Sequence, residues 1–495
     1  MYYPKDFLKA VAIGSRSLVT IQPSPVVRGE NFCRSWQGPV DTIRQSALML
    51  GLCCVVLAAA ASTVAQGNAY AERLERTAAL INSDQLAEAE EQLNAILKLA
   101  PKEAVALNLL GTVRAKQGRL DDAEALFTRS IQSDKELVGA YMNLAYLYLL
   151  KGQAEKTALQ LKEVLRLQPG NVDASYRLAW LLLSLGRFDE SISVINTAKQ
   201  KQSLSIPLLN LLGDAHLKKR DVRNAEEVYL LVLKEQSSNG DALLGLAASA
   251  QVRGDAQTAS LYLERAKDVI AESSDLLHKF ALVAQNSGLK NEALSALKRA
   301  IELSPKEPSY HFALGLAWLM DPADLQEAEG VFHQFLKLQP ENSRGQLYLG
   351  YVLLKQKKHA EARVWLEKSI RKETGTPEPF YYLGLIAQEQ NENERAIELL
   401  AKAIQLAPSY ASPHVALGAT YLKLKDYPGA QQAFETAVKL NPNDSKAHYN
   451  LAVLFARLKN QARAQQEMQI VENLKKTGKV QASEDDALTP PSPRQ

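Results

Sequence analysis

Apolar residues recur along this chain at helical spacing, and the helices they mark recur on a longer period of their own. In residues 411–442, ASPHVALGATYLKLKDYPGAQQAFETAVKLNP, the side chains of His414, Leu417, Gly418 and Tyr421 share one face of a first helix. Ala430, Phe434 and Ala437 share one face of a second, and Pro442 stops it. Similar stretches begin near residues 70, 104, 138, 172, 206, 240, 274, 308, 343, 377, 411 and 445 and run to near Gly478. The pattern predicts twelve helical hairpins, with every helix amphipathic at the 3.6-residue period. Each hairpin would bury its apolar stripe only against its neighbours.

Four classes of small or rigid residue fall on this grid. Helix-ending prolines stand at Pro101, Pro169, Pro305, Pro340, Pro408 and Pro442, separated by 68, 136, 35, 68 and 34 residues. Proline lacks an N–H and suits the exit of a second helix. Glycines at the helix–helix turn stand at Gly118, Gly152, Gly186, Gly254 and Gly288, where a left-handed residue closes a tight turn. A small residue opens each second helix: Ala89, Ala123, Thr157, Ser191, Ala225, Ala259, Ala293, Ala328, Ala362, Ala396, Ala430 and Ala464. A Leu-Gly or Leu-Ala pair marks the first helix, from Leu110-Gly111 to Leu451-Ala452, with Phe280-Ala281 in the seventh unit. Only the first unit lacks the pair, having Arg76-Thr77.

The order Leu-Gly-x2-Tyr, Ala-x3-Phe, Pro resembles the tetratricopeptide repeat, and the resemblance covers about four-fifths of the chain. It implies an all-α fold, a right-handed superhelical solenoid of stacked helix-turn-helix hairpins over 70–478. Two departures stand out. The eighth unit carries one extra residue in its turn, Met320-Asp321-Pro322-Ala323, which should perturb the stack locally. The first unit is degenerate, as a terminal cap would be, and Ala462 to Lys476 would close the other end with a polar face.

Outside the repeats the chain changes character. Residues 1–46 form an N-terminal extension without period, read as disordered or upstream of the true start, with Val40 as an alternative start. Residues 47–65 include the apolar run ALMLGLCCVVLAAAA and read as a signal-peptide h-region or a transmembrane anchor. A cleaved signal is the favoured reading and a buried hydrophobic helix the blandest. Six Lys/Arg and three acids precede the run, so the positive-inside rule places the repeats across the membrane. The expected location is exported: periplasmic, secreted or membrane-anchored. Residues 479–495, with Ser483-Glu484-Asp485-Asp486 and Pro490-Pro491, read as a disordered acidic, Pro-rich tail.

Charge and cysteine narrow the chemistry. A net charge of +3 is too near neutral to argue for nucleic acid. Cys33, Cys53 and Cys54 all precede the repeats, which therefore hold neither disulfides nor cysteine-bound metal. His311, His414 and His448 occupy the fourth position of their units, and that regularity argues for packing. They fall in different hairpins, far from metal-binding geometry. No catalytic constellation, cofactor motif or metal set emerges, so the chain reads as non-enzymatic.

In proteins similar to this one, first helices line a concave surface that receives an extended peptide or a helix. The family's groove-facing positions are the second, fifth, ninth, twelfth and thirteenth of each unit. Carried onto this sequence, they gather aromatics in two places: Tyr146, Tyr176 and Trp180 in units three and four, and Phe312, Tyr351 and Tyr381 in units eight to ten. Aromatic anchors supply large contact area at low entropy cost. Neither the family's carboxylate clamp nor its asparagine ladder can be assembled. A mostly apolar groove suits an amphipathic helix or a hydrophobic extended segment.

The resulting expectation is a protein-binding scaffold without nucleic-acid partners, touching membrane only through the apolar segment if that is uncleaved. The setting inferred by analogy is cell-envelope assembly, secretion or polysaccharide export. The alternatives are an accessory subunit of an envelope enzyme complex, such as a glycosyltransferase, and a cytosolic chaperone-like adaptor.

Overall fold

The computed structural model describes residues 66–201, 204–320, 322–370 and 375–476. The extension 1–46, the apolar segment 47–65 and the tail 479–495 lie outside the described residues. Among the described residues, no helix is long and apolar enough to cross a membrane. These residues form 24 α-helices, from Gln66–Asn82 to Gln461–Lys476, and one short 3-10 turn. The fold is all-α, with tetratricopeptide-type helical hairpins stacked in a solenoid manner within each unit. It divides into two compact units, the first ending at Ser287 and the second starting at Gly288.

Within each unit, helices pack on their hairpin partners, and second helices pack on the first helix of the next hairpin. First helices also touch the first helix of the next hairpin directly. In the first unit these include Ile206–Lys218 with Gly240–Val252; in the second, Ser343–Lys355 with Glu378–Glu389. Second helices have no comparable contact with one another. The stack is therefore tighter along the row of first helices, and that row forms the inner face.

Packing explains the grid. Ala89, Ala123, Ala225, Ala259, Ala328, Ala362, Ala396 and Ala430 are fully buried, and a larger side chain there would push paired helices apart. Sixteen or seventeen residues after Gly111, Gly213, Gly315, Gly350, Gly384 and Gly418 stands a bulky core residue that fills the space beside the glycine. A Cβ added to Gly111 would lie 2.7 Å from Phe127, and one on Gly418 would lie 2.6 Å from Phe434.

The turns follow the same period. The left-handed slot is held by Gly118, Gly152, Gly186, Gly254 and Gly288, and also by Asp84, Arg220, Lys357, Asn391, Lys425 and Lys459. The eighth hairpin, with its extra residue, instead has the 3-10 turn Pro322–Asp324, and its first helix is shortened to Pro308–Trp318. First helices are capped by the residue before them: Asn171, Asn239, Asn342 and Asp444 each accept a backbone N–H three residues on, at 2.9–3.0 Å. In three hairpins the fourth-position side chain ties the entry to the preceding exit. His311 and His448 ring nitrogens lie 2.9 and 3.1 Å from the Pro305 and Pro442 carbonyls, and Gln346 donates to Pro340 at 2.8 Å.

One expectation is corrected. Amphipathicity holds for the second helices but not for several first helices. Val138–Leu150 buries Val138 through Ala145 without a break, together with Leu147 and Tyr148. A first helix is covered by its own partner, by the preceding hairpin and by neighbouring first helices, so little of it meets water.

Candidate functional site

Because first helices are so enclosed, few side chains are left on the inner face of the first unit. Val138–Leu150 and Val172–Ser184 place Tyr146 and Trp180 there, both half-buried. Both pack on the core cluster containing Met142, Leu178 and Leu181. Tyr176 is half-buried and packs with Trp180 on the next cluster, around Leu208 and Leu212. The Tyr146 hydroxyl lies 3.4 Å from Asp173 Oδ2, and the Arg177 guanidinium sits 4.6 Å from its ring centroid. Arg177 Nε donates to Asp173 at 2.7 Å. Burial raises the Tyr146 phenol far above its ordinary range, against a smaller opposing pull from Arg177. A shallow apolar pocket lies beside these groups, lined by Met142, Ala145, Tyr146, Leu149, Thr157, Leu161 and Arg177.

Further along the same unit the inner face carries an ionic network that the sequence reading did not single out. Lys279 donates to Asp241 Oδ1 at 2.9 Å and to Asp214 Oδ2 at 3.3 Å, joining three successive hairpins. Tyr229 comes from a second helix, fully buried, and donates to Asp214 Oδ1 at 2.5 Å. Its ring passes between Gly213 and Gly245, where added Cβ atoms would lie 2.5 and 2.3 Å from it. Burial opposes charge on Lys279, but the two carboxylates more than offset it and hold the ammonium above the usual lysine range. The available signal was Asp214, the one carboxylate in the ninth column, with a tyrosine where most units place Phe or Leu.

In the second unit Phe312 is half-buried and belongs to an aromatic cluster. Its ring centroid lies 5.1 Å from Phe335, 5.4 Å from Tyr348 and 5.9 Å from Phe332. Tyr351 and Tyr381 are 3 % and 1 % exposed. They are core residues, and Tyr382 between them is the half-buried ring, 5.1 Å from Tyr351 and 5.3 Å from Tyr381. Tyr382 follows directly on Tyr381, the fifth-position residue named from the sequence. Among the described residues no three His, Cys, Asp or Glu side chains are placed to hold a metal ion.

Comparison with known proteins agrees with this architecture. Tetratricopeptide repeat family models match residues 78–137, 151–215, 278–323, 319–377, 387–448 and 433–466. The chain belongs to the tetratricopeptide repeat family. Among curated proteins it is similar to human protein O-mannosyl-transferase TMTC3, 22% identical over 267 residues, covering 52% of this chain and 29% of that protein. The chain thus spans less than a third of the length of that relative.

Among solved structures it is similar to the Cut9-Hcn1 assembly of the APC/C. There the identity is 14%, with 81% of this chain and 93% of that chain covered and a TM-score of 0.40. Yeast Tom70 is 16% identical, with 77% and 97% covered and a TM-score of 0.37. A tetratricopeptide repeat protein from Parabacteroides merdae is 18% identical, with 50% and 99% covered and a TM-score of 0.41.

Proposed function

We propose that this protein is a non-enzymatic scaffold that holds an extended or helical segment of a partner protein along its row of first helices, in a cell-envelope setting. The observation that carries the reading is the inner face near Tyr146 and Trp180. Two half-buried aromatics stand on helices whose middle turns are mostly buried, with Tyr146 lining a small apolar pocket. Aromatic rings held by surrounding packing lose little entropy on binding and are the common anchors of protein interfaces. The envelope setting, with the repeats exported, rests on the apolar segment 47–65 and the basic residues before it.

A second reading is an accessory subunit of an envelope glycosyltransferase. The relation to a human O-mannosyl-transferase favours it, and it uses the same face to hold the enzyme or its substrate protein.

Photo-crosslinking from position 180 in the native cell tests the binding reading. Adducts to a protein partner are expected from that position. Adducts formed only from an outer position such as 261, whose leucine is 59% exposed, would contradict it.

A further inference from the structure

The last described helix, Gln461–Lys476, has little apolar surface to hold it in place. It buries Val471 and Leu474, whereas the second helix of the preceding hairpin, Tyr427–Leu440, buries Ala430, Ala433, Phe434 and Ala437. Among the described residues no helix follows to cover it. It lies on its partner Ser445–Arg457, where Ala464 packs against the core cluster containing Leu451, Leu454 and Phe455.

A polar contact makes up for the thin apolar one. His448, on Ser445–Arg457, is 4% exposed. Its Nδ1 lies 2.6 Å from Glu467 Oε2 on the last helix, and its Nε2 lies 3.1 Å from the Pro442 carbonyl. Both oxygens are acceptors, so both ring nitrogens must donate. Only the imidazolium carries two N–H groups. A neutral ring turns a lone pair toward one of the two acceptors, and a buried acceptor without a donor is destabilising. The same slot in other hairpins holds His311 and Gln346, which reach the Pro305 and Pro340 carbonyls. His448 adds a carboxylate on the next helix to that tie.

The other charged groups on the surrounding helices are engaged elsewhere or face water. Asp444 accepts the Lys446 and Ala447 N–H groups, and Arg463 lies over the Phe455 ring. On Ala411–Leu424, His414 is bonded to the Pro408 carbonyl and Lys423 donates to Asn391. On Tyr427–Leu440, Glu435 accepts from Gln431 and Lys439 is exposed. On Ser445–Arg457 itself, Lys446 is exposed and Arg457 donates to the Leu422 carbonyl. Glu472, Lys475 and Lys476 of the last helix are exposed. Glu467 is the carboxylate that answers the ring.

We propose that His448 and Glu467 form a proton-gated latch on the last helix. The charged ring holds Gln461–Lys476 against the stack. Loss of its second proton releases that helix and uncovers Leu451, Leu454 and Phe455, an apolar end on the second unit. Closing requires the proton, so the open fraction grows as pH rises through the range in which histidine loses its charge.

Amide hydrogen exchange on the full chain, read as protection relative to chemical exchange at each pH, follows this local opening. Between about pH 6 and 8 the amides of Gln461–Lys476 lose about tenfold in protection, while those of Tyr427–Leu440 keep theirs. His448→Gln keeps a side chain that can reach the Pro442 carbonyl, as Gln346 reaches Pro340, but has no proton to lose. Glu467→Gln removes the carboxylate and leaves the ring. In both variants, with helicity checked by circular dichroism, the last helix is less protected at the acid end, and its protection changes by less than about twofold across the window. Wild-type protection that does not change with pH, a loss shared equally by the two helices, or a pH dependence that survives in either variant overturns the proposal.

Discussion

The Tyr229 hydroxyl donates to the Asp214 carboxylate at 2.5 Å, so a second helix contributes to the inner face through a gap made by two glycines. Elsewhere in the stack the residue at this position is an apolar filler such as Phe127 or Phe434. Here the filler also has a polar tip, which holds Asp214 in place for Lys279.

That gap makes a sharp stability prediction. Gly245→Ala puts a methyl 2.3 Å from the Tyr229 ring and should destabilise the protein by about 1–3 kcal/mol. Gly330→Ala, in a helix with nothing within 4 Å, should stabilise by about 0.5–1 kcal/mol. Urea titration followed by circular dichroism reads both. Equal effects at the two sites would contradict the packing described.

Removing Lys279 should expose the cost of its two carboxylates. Lys279→Met leaves Asp214 and Asp241 facing each other without their shared cation, and about a third of the lysine side chain is exposed. The expected loss is about 1–2 kcal/mol, below that for a fully buried pair. In the double variant Lys279→Met/Asp241→Asn the two losses should be less than additive, as coupled partners require.

The non-glycine left-handed turns are sites for gain. Lys357→Gly, Asn391→Gly and Lys425→Gly relieve backbone strain where φ is 61°, 62° and 64°. Each should stabilise by a few tenths to about 1 kcal/mol, with Asn391→Gly the smallest because asparagine tolerates this region. The reverse change, Gly152→Ala, should destabilise by a similar amount although its added Cβ meets nothing within 4 Å.

Two histidines set a pH dependence. Burial holds His278 and His414 below the ordinary value near 6.5, against a smaller opposing pull from Asp275 at the first and from the Pro408 carbonyl at the second. The folded protein then binds fewer protons than the unfolded chain, so stability rises with pH in this window. Their contribution is complete above about pH 6.5 and is lost as pH falls through the lowered folded values. His278→Gln/His414→Gln should flatten the urea midpoint between about pH 7 and 5. An unchanged slope would contradict the assignment.

The fold was legible in the sequence because its constraints are local and periodic. Proline exits, small residues at crossings and Leu-Gly pairs each follow from a single contact, repeated on the grid. Non-glycine left-handed residues such as Lys357 and Asn391 were not legible, because the turn imposes that conformation whatever stands there. The enclosure of Val138–Leu150 was also hidden, since it arises from three neighbours that no single helix encodes.

Of the candidate site residues, Tyr146, Tyr176, Trp180 and Phe312 lie half-buried, whereas Tyr351 and Tyr381 pack in the core. The network of Lys279, Asp214, Asp241 and Tyr229 joins three hairpins across 65 residues of sequence, and repeat spacing carries no record of such side-chain pairings.

The central claim is that a partner protein binds the inner face, and capture from native extract on the full chain tests it most directly. Wild type is compared with Tyr146→Ala/Trp180→Ala and with the outer-face variant Leu159→Ala/Leu261→Ala, whose leucines are 58% and 59% exposed. Helicity of each variant is checked by circular dichroism. The account predicts a protein partner retained by wild type and by the outer variant, and lost with the folded inner variant. A partner retained by the inner variant and lost by the outer one would contradict it.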